Sequence, residues 1–332
     1  MNTGDAEKTM TIAITGGTGF VGRHLVAELL DRGCSVRVLA RDINKAGRVL
    51  PESDLIDVVE GDPFRRDAVR GLLAGVDACV HLVGIIREAP GGQTFRRVHV
   101  QATREIVRAC EDAGVHRYVH MSAIAADPEG KAEYQRTKFE AERLVESSDL
   151  DWTIVRPGLI HGGDGEFMRL VMGWCEGRKP PFVFLPYFAR VEQHGRPGPF
   201  NPPAVVEPRV APVHVLDVVR VLADAIDTPE SIGEIYRLSG PESLTMPELL
   251  RFVRDTDPHG KPGHRPMGLP TPLAVCQAKV FGRLGLGRLL PFDAGMARMG
   301  SLDAVCDNGK ARAHLGFEPR AFRESARAYI GV

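Results

Sequence analysis

The stretch Ile12-Ala-Ile-Thr-Gly-Gly-Thr-Gly-Phe-Val-Gly-Arg23 joins a short apolar run to a glycine-rich turn and the start of an amphipathic helix. Its glycines fit both G-x-x-G-x-x-G and G-x-G-x-x-G, spacings that let backbone N–H groups approach a pyrophosphate at a helix N-terminus. A strand before the turn and a helix after it are the context that this motif requires. We therefore expect a dinucleotide to bind at Gly16, Gly17, Thr18, Gly19, Phe20, Val21 and Gly22.

Outward from this turn, short apolar segments alternate with amphipathic ones as far as residue 160. Strands are expected at residues 11–15, 35–39, 55–60, 78–83, 115–121 and 152–155. Helices separate them, the longest over residues 93–113, and such alternation is typical of a parallel sheet covered on both faces. The predicted fold class is α/β, a Rossmann-type doubly wound parallel sheet with a smaller, mostly irregular or helical C-terminal substrate region.

The regular alternation fades after Gly158, which indicates a second region. We expect a dinucleotide-binding domain over residues 9–160, to which residues 213–227 return, and a substrate-side region over residues 161–212 and 228–332. Residues 179–212 hold nine of the 24 prolines, a density that excludes helix and central strand and predicts a long loop or lid. Residues 273–290 mix apolar and basic side chains, and they form either a helix over the substrate cleft or a segment that binds a membrane or partner.

Composition excludes several function classes for this chain of 332 residues. The net charge is −1, so no overall field attracts nucleic acid or an anionic membrane. Six scattered cysteines form no CxxC pair, which predicts free thiols in a reducing, cytoplasmic compartment and no metal site. No apolar run approaches the roughly 18 residues of a membrane-spanning helix, and the first residues do not resemble a signal peptide. The expected assembly is a monomer or homodimer, with contact to a membrane surface or a protein complex left possible.

The end of the second predicted strand bears on the choice between NAD(H) and NADP(H). Ala40 stands where an NAD-binding site would place an acid, and Arg41 follows it, which suits a 2′-phosphate. Asp42 is either a ligand of the ribose or only a cap of the next helix. NADP(H) is therefore favoured over NAD(H), with Arg23 and Arg37 as further candidate cations or ordinary surface residues.

Further cofactor contacts are expected at the ends of three other strands. Asp62 follows the third strand, where it would receive the adenine amino group or only form a turn before a proline. Val83 and Gly84 end the fourth strand, where the glycine would allow close approach of the backbone to the cofactor. Pro157 and Gly158 end the sixth strand, beside the expected nicotinamide.

Tyr134 and Lys138 lie four residues apart, so they share one face of a predicted helix. A phenol has a pKa near ~10 and a nearby cation favours its ionised form, so we expect Lys138 to lower the pKa of Tyr134. Tyr134 would then exchange a proton with a substrate oxygen, while Lys138 would also hold the nicotinamide ribose. Ser122 ends the fifth strand and would hydrogen-bond the substrate oxygen or only cap the next loop. By itself, the Tyr–Lys spacing also fits two surface residues.

Together these motifs resemble the extended or atypical short-chain dehydrogenases, in particular the branch around the NADPH-binding accessory subunit of respiratory complex I and its bacterial relatives. The resemblance is carried by residues 15–22, 81–85, 122–123, 134–138 and 153–157, and more weakly by 269–270 and 302–305. It implies a Rossmann domain, a tightly held NADP(H) or NAD(H), and a smaller substrate region. The chain departs from sugar-nucleotide epimerases at Ala123, where they usually carry serine or threonine, and in its longer proline-rich loop.

Three functions are compatible with these residues. The first is an NADP(H)-dependent oxidoreductase that transfers hydride to or from a small or lipophilic carbonyl or alcohol, with Tyr134 as acid/base beside Lys138 and Ser122. The second is a non-catalytic NADPH-binding accessory or assembly subunit, which the resemblance implies for some relatives. The third is a sugar-nucleotide epimerase or dehydratase, against which Ala123 argues. The expected partner of the first is a small-molecule substrate.

Overall fold

A central parallel sheet with helices on both faces carries a smaller C-terminal region. The computed structural model describes residues 9–193, 203–284, 290 and 292–331. The strands are β1 Thr11–Thr15, β2 Ser35–Ala40, β3 Ile56–Glu60, β4 Ala78–His81, β5 Arg117–Met121, β6 Asp151–Pro157, β7 Ile160–His161, β8 Leu185–Glu192, β9 Ala204–Val206, β10 Arg209–Val210, β11 Val213–His214, β12 Glu234–Leu238, β13 Leu244–Thr245 and β14 Pro266–Pro270. The α-helices are α1 Phe20–Asp31, α2 Ile43–Val49, α3 Arg66–Leu73, α4 Ala102–Ala113, α5 Glu133–Glu146, α6 Glu166–Cys175, α7 Val215–Asp227, α8 Met246–Thr256, α9 Thr271–Arg283, α10 Ala294–Met299, α11 Gly309–Leu315 and α12 Phe322–Arg327. A π-helical turn, Arg96–Gln101, leads directly into α4, and a short 3₁₀ turn spans Pro229–Ser231.

The central sheet has seven strands within the described residues, in the order β12-β6-β5-β4-β1-β2-β3. All its neighbouring strands run parallel, and β1 lies between β2 and β4. The strand order reverses between β1 and β4, and at such a reversal a crevice opens beyond the carboxyl ends of the strands. The predicted Rossmann-type doubly wound sheet is confirmed.

Helices cover both faces of this sheet, so its central strands bury residues on both sides. Every residue of β4 is buried, and one core joins the strands to α1, α2, α7 and α11, while a second joins them to α3, α4 and α5. In α1 the buried stripe is Val21, Leu25, Val26 and Leu29, at the spacing of one helix face. The glycine turn is therefore held rigidly between a buried strand and a firmly packed helix.

The strand β12 was not among the predicted strands. It pairs in parallel with β6 at the edge of the central sheet, although residues 228–332 are expected on the substrate side. The helix α11 also packs against β12 and α7. The sequence Glu234-Ile-Tyr-Arg-Leu238 alternates charged and apolar residues, a weaker signal than the continuous apolar runs of the inner strands.

The expectation of a long loop over residues 179–212 is wrong for its described part. The strand β8 pairs with β14 in parallel and with β9 in an antiparallel manner, forming a separate three-stranded sheet. A small sheet offers edge positions at which a proline need not donate a hydrogen bond, so the proline density does not prevent strand formation. The described part is neither helix nor central strand, as predicted, and residues 194–202 lie outside the described residues.

A third hydrophobic core, built from α6, α8 and α12, holds the C-terminal region together. The helix α9 agrees with the helical interpretation of residues 273–290, of which residues 285–289 lie outside the described residues. Among the described helices, none combines the length and the apolar character needed to cross a membrane.

Candidate active site

The turn between β1 and α1 is packed so closely that its glycines cannot be replaced without collision. A Cβ on Gly22 would lie 2.2 Å from the carbonyl oxygen of Gly16, and one on Gly17 would lie 2.7 Å from a methyl group of Val38. Gly16 has a φ of +80°, and its carbonyl accepts a hydrogen bond of 3.0 Å from the N–H of Gly19. No side chain caps the N-terminus of α1, so its N–H groups are left for a ligand.

A cavity of about 380 Å³ opens at this turn, beyond the ends of the central strands. It is lined by seven of the fourteen residues predicted to bind a cofactor. These are Thr18, Gly16, Gly19, Arg41, Asp62, Val83 and Gly84. The structure places Gly17, Val21 and Gly22 behind the turn, while Phe20 contacts Gly162 and Gly165 on the substrate side. The cradle fits a dinucleotide, because it combines a side-chain-free turn with an uncapped helix end.

The cofactor cavity, as we call it from here, is lined by three basic side chains: Arg41, Lys45 and Arg97. Within the described residues, none of the three forms an ion pair, and Arg97 lies 4.3 Å over the ring of Phe64. The carboxylate of Asp42 accepts a hydrogen bond of 2.9 Å from the N–H of Lys45, so Asp42 caps α2. Of the two roles considered for Asp42, ribose ligand and helix cap, the structure shows the helix cap.

The other two cations considered for the 2′-phosphate are held elsewhere. Arg23 donates to Asp164, and Arg37 donates to Asp57 at 2.8 Å and to carbonyl groups at the C-terminal end of α3. Neither lines the cofactor cavity. Lys45 and Arg97 line the cavity with Arg41, and sequence reasoning did not single them out; Arg97 is distant in the chain and reaches the cavity only through the fold. Asp62 lines the cavity and also forms the expected turn, since its carboxylate accepts from the N–H of Phe64.

A second cavity, of about 350 Å³, lies between the central sheet and the C-terminal region. We call it the apolar cavity, because its walls are aromatic, aliphatic or methionine side chains with few polar exceptions. Its described lining residues are Ile86, Phe95, Ala123, Ile124, Ala125, Tyr134, Pro157, Gly158, Leu159, Phe167, Leu170, Trp174, Pro186, Tyr187, Phe188, Val210, Met246, Leu250, Gly295, Met296, Met299, Gly300, Leu302, Asp303 and Ala304. Pro157 and Gly158, predicted beside the nicotinamide, thus lie on this cavity.

Tyr134 and Lys138 lie between the two cavities, on α5. Tyr134 lines the apolar cavity, while a Cβ on Gly84 of the cofactor cavity would lie 3.1 Å from the Nζ of Lys138. That Nζ donates a 3.1 Å hydrogen bond to the carbonyl of Met121. Ser122 is buried, and its hydroxyl has no hydrogen-bond partner in the described structure. A buried hydroxyl is costly to leave unpaired, which fits a ligand oxygen at this point.

Burial, rather than mutual attraction, dominates the titration of this pair. Burial raises the pKa of Tyr134 to about 12. Burial lowers the pKa of Lys138 to about 8, although Glu142 acts in the opposite direction. Lys138 is expected to lower the pKa of the phenol, whereas burial, the cause that acts on Tyr134 in the protein without ligand, raises it.

A family model described as NAD(P)H-binding matches residues 16–173. Mitochondrial NADH dehydrogenase 1 alpha subcomplex subunit 9 of Rattus norvegicus is 27% identical over 243 residues, 72% of this chain and 59% of that protein. Ceramide reductase of Caulobacter vibrioides is 34% identical over 183 residues, 54% of this chain and 55% of that protein. Sterol demethylase protein B of Methylococcus capsulatus is 27% identical and covers 95% of both chains.

Among solved structures, an epimerase from Methanothermobacter thermautotrophicus has a TM-score of 0.72 at 18% identity, over 97% of this chain and 92% of that chain. This likeness shows the shared fold. The chain is thus similar to NAD(P)H-binding proteins of the extended short-chain dehydrogenase type. It spans about three fifths of the length of the mitochondrial subunits it matches.

The expected partners of this short-chain dehydrogenase-like chain need a correction. The sequence predicts a monomer or homodimer, with contact to a protein complex as no more than a possibility. Relatives from Neurospora crassa, Rattus norvegicus, Arabidopsis thaliana and Mus musculus are each named as a subunit of an NADH dehydrogenase or oxidoreductase. Several similar proteins are therefore named as subunits of a complex, so contact with a protein complex deserves more weight than the sequence-based expectation gave it.

Three buried histidines, His81, His99 and His120, lie near Lys138, and sequence reasoning did not single them out. The hydroxyl of Thr103 donates to the carbonyl of His99, so it accepts a hydrogen bond from Nε2 of His81. Nδ1 of His81 is then unprotonated and accepts from the hydroxyl of Thr15. Burial lowers the pKa of His81 to about 3 and that of His99 to about 2, with Lys138 adding to both shifts. No group of histidine, cysteine or carboxylate side chains in the described residues could hold a metal ion.

His99 connects the cofactor cavity to the helix that carries Tyr134. Its Nδ1 lies 3.0 Å from the hydroxyl of Thr137 on α5, and its Nε2 lies 3.1 Å from the carbonyl of Ile85. Its ring meets that of Tyr134 edge to face, with 5.3 Å between the centroids. The π-helical turn Arg96–Gln101 places His99 in this position, and no local sequence signal announces such a turn.

Proposed function

We propose that the protein is an NADP(H)-dependent oxidoreductase that transfers hydride between the nicotinamide and a carbonyl or alcohol substrate. The observation that carries this proposal is the position of Tyr134, Lys138 and Ser122 between the cofactor cavity and the apolar cavity. A proton donor at the border of a dinucleotide cradle and a ligand cavity is what carbonyl reduction requires.

The roles of the side chains follow from their protonation. A bound NADPH would supply the hydride for a carbonyl carbon. Tyr134, whose raised pKa keeps it protonated near neutral pH, donates its proton to the substrate oxygen. The hydroxyl of Ser122 donates a hydrogen bond to the same oxygen, and the ammonium of Lys138 stabilises the tyrosinate that remains. In the reverse direction, the tyrosinate accepts the proton of the alcohol.

NADP(H) is the proposed cofactor because three basic side chains line the cofactor cavity. Arg41, Lys45 and Arg97 suit a 2′-phosphate, and Asp42, the one acid that would have suited NAD(H) there, is engaged as a helix cap. All six cysteines are free, which supports the proposed reducing, cytoplasmic location.

The test is NADPH oxidation with 2-decanone by the wild type and by Tyr134→Phe. We expect kcat to fall at least a hundredfold in this variant, since general acid catalysis contributes about 10²–10⁴-fold. The dissociation constant of NADPH should stay within twofold. The matched control is Tyr236→Phe, which removes the hydroxyl that bonds His314 away from both cavities. Equal turnover by wild type and Tyr134→Phe would contradict the mechanism.

A second candidate, a non-catalytic NADPH-binding accessory subunit, is supported by the relatives that are named as NADH dehydrogenase subunits. In that case NADPH would bind tightly and remain unchanged with every ketone offered. Isolation of the protein with its bound nucleotide, followed by a turnover assay over a range of ketones, separates the two functions.

A further inference from the structure

We infer that the apolar cavity takes an uncharged substrate, a ketone or secondary alcohol whose reacting oxygen is carried on a bulky hydrocarbon body. This inference rests on the proposed function and names its substrate class. Apart from the indole N–H of Trp174, which donates to the carbonyl of Pro180, the cavity's only polar side chains among the described lining residues are Tyr134, Tyr187 and Asp303. The hydrogen bonds and ion pairs that these three groups already form determine which ligand the cavity can bind.

Two of the three polar groups are already paired. The hydroxyl of Tyr187 donates to Glu207 at 3.3 Å, and the carboxylate of Asp303 accepts from the backbone N–H of Arg209 at 2.8 Å. Asp303 also forms an ion pair of 3.0 Å with Arg190. No described residue bonds the hydroxyl of Tyr134, and the unpaired hydroxyl of Ser122 lies next to the cavity residue Ala123. The cavity therefore offers hydrogen-bond partners to one polar atom of a ligand, an oxygen that lies at the hydroxyl of Tyr134.

A charged ligand would lose its hydration in this cavity without compensation. None of the described lining residues is basic, so a phosphate or carboxylate would find no cation there to replace its hydration. A cationic ligand would also lose its hydration without compensation, because Arg190 already neutralises Asp303. The cofactor cavity differs, because it carries three cations that form no ion pair within the described residues; this contrast assigns the phosphate-bearing molecule to that cavity and a neutral one to this.

The walls favour a large hydrocarbon body over a small one. Phe95, Phe167, Trp174 and Phe188 supply flat apolar surface, which contributes to binding in proportion to the area that the ligand covers. A further wall is made of Met246, Met296 and Met299. Methionine adapts to irregular shapes, so this wall accepts ring systems and branched chains as well as straight ones. Each methylene group that enters should improve binding about fourfold.

The test is a series of methyl ketones: 2-hexanone, 2-octanone, 2-decanone and 2-dodecanone. Binding is measured by displacement of the neutral fluorophore N-phenyl-1-naphthylamine, and turnover by NADPH oxidation. We expect affinity to rise at least tenfold for each two methylenes until the cavity is full. The acid 9-oxodecanoate, equal in length to 2-decanone but anionic, should bind at least a hundredfold more weakly.

Two variants show whether the ketones occupy this cavity. Met299→Lys places an ammonium group in its wall, so 2-decanone should bind at least tenfold more weakly and 9-oxodecanoate more tightly. Met267→Lys is the matched control, because Met267 is 55% exposed on β14 and does not line the cavity. Both affinities should be unchanged in that control, and equal effects of the two variants would overturn the inference.

The two proposals fail in different ways. If the ketones bind with the expected length dependence but neither they nor their alcohols are turned over, hydride transfer is wrong and the ligand class stands. Tyr134→Phe should likewise retain the length dependence of binding while losing turnover. If 9-oxodecanoate binds as tightly as 2-decanone, or affinity does not change with length, the ligand class is wrong even if turnover is observed.

Discussion

At the scale of a residue, Lys138 is a candidate functional group whose burial lowers the stability of the fold. Its ammonium is buried with one carbonyl acceptor, and the nearest carboxylate, that of Glu142, is already paired with Arg156. The depressed pKa of Lys138, about 8 against an ordinary value of 10.5, expresses this cost.

Lys138→Met should stabilise the protein and abolish turnover. Since one pKa unit corresponds to about 1.4 kcal/mol, we expect the free energy of unfolding at pH 7 to rise by roughly 3 kcal/mol. The lowered pKa means that the penalty is complete below pH 8 and fades as the pH rises from about 8 to 10.5. Chemical denaturation at pH 7 and pH 10 measures both. The exposed Lys279→Met should show no such gain, and a destabilised Lys138→Met would contradict the prediction.

Arg41→Ala should change the choice of cofactor. Without the guanidinium we expect the dissociation constant of NADPH to rise at least tenfold, about 1.4 kcal/mol, while that of NADH stays within twofold. Titration of each nucleotide by nicotinamide fluorescence measures this, and the control is Arg48→Ala, on α2 but not lining the cofactor cavity. Parallel loss of both affinities would show that Arg41 has no role at the 2′-phosphate.

At the scale of the element, the decisive unit is β1, its glycine turn and α1. The turn brings the N-terminus of α1 so close to the strand that backbone fills the space a side chain would need at Gly22. Helix, strand and turn are thus a single packed unit, and the anion-binding end of the helix exists only while that packing is intact.

Gly22→Ala should abolish dinucleotide binding and lower the free energy of unfolding by about 1–3 kcal/mol. The reason is overpacking, since the new Cβ would lie 2.2 Å from the carbonyl oxygen of Gly16. Gly47→Ala, in open space within α2, is the matched control and should raise stability by roughly 0.5–1 kcal/mol. Thermal unfolding with and without NADPH tests both variants, and a Gly22→Ala protein that still gains stability from NADPH would refute the prediction.

At the scale of the whole molecule, the protein interior encloses several histidines whose charged form is disfavoured by the loss of hydration. Burial lowers the pKa of His81, His99, His120 and His161 below the ordinary value of 6.5, with neighbouring cations or histidines adding to each shift. The unfolded chain binds these protons first, so stability is complete above about pH 6.5 and is lost as the pH falls toward 3.

The protein should therefore lose stability steeply in mild acid, by about 1.4 kcal/mol per pH unit for each buried histidine. His120→Phe should reduce this slope between pH 6.5 and 4.5 by one proton, because both ring nitrogens of His120 lack partners and their removal breaks no bond. The exposed His116→Gln should leave the slope unchanged. Urea unfolding at a series of pH values gives the slopes, and identical slopes for wild type and His120→Phe would contradict the assignment.

The parts of the fold that the sequence predicted are those whose signals are local. The glycine turn follows from steric needs within seven residues, the pairing of Tyr134 with Lys138 from a four-residue helical spacing, and the inner strands from continuous apolar runs. The edge strand β12 and the sheet built on β8 escaped prediction, because alternating charges and prolines weaken the local pattern while pairing with distant strands stabilises the segment.

The sequence by itself determined the Rossmann-type sheet, the dinucleotide turn and the candidate proton donor, since each depends on neighbours along the chain. Only the tertiary structure decided that Lys45 and Arg97 join Arg41, that Asp42 is a helix cap, and that Ser122 is buried without a partner. It also decided that burial raises the pKa of Tyr134. Hydration, cavity shape and the convergence of charges depend on residues far apart in the chain, and these are properties that only the packed molecule possesses.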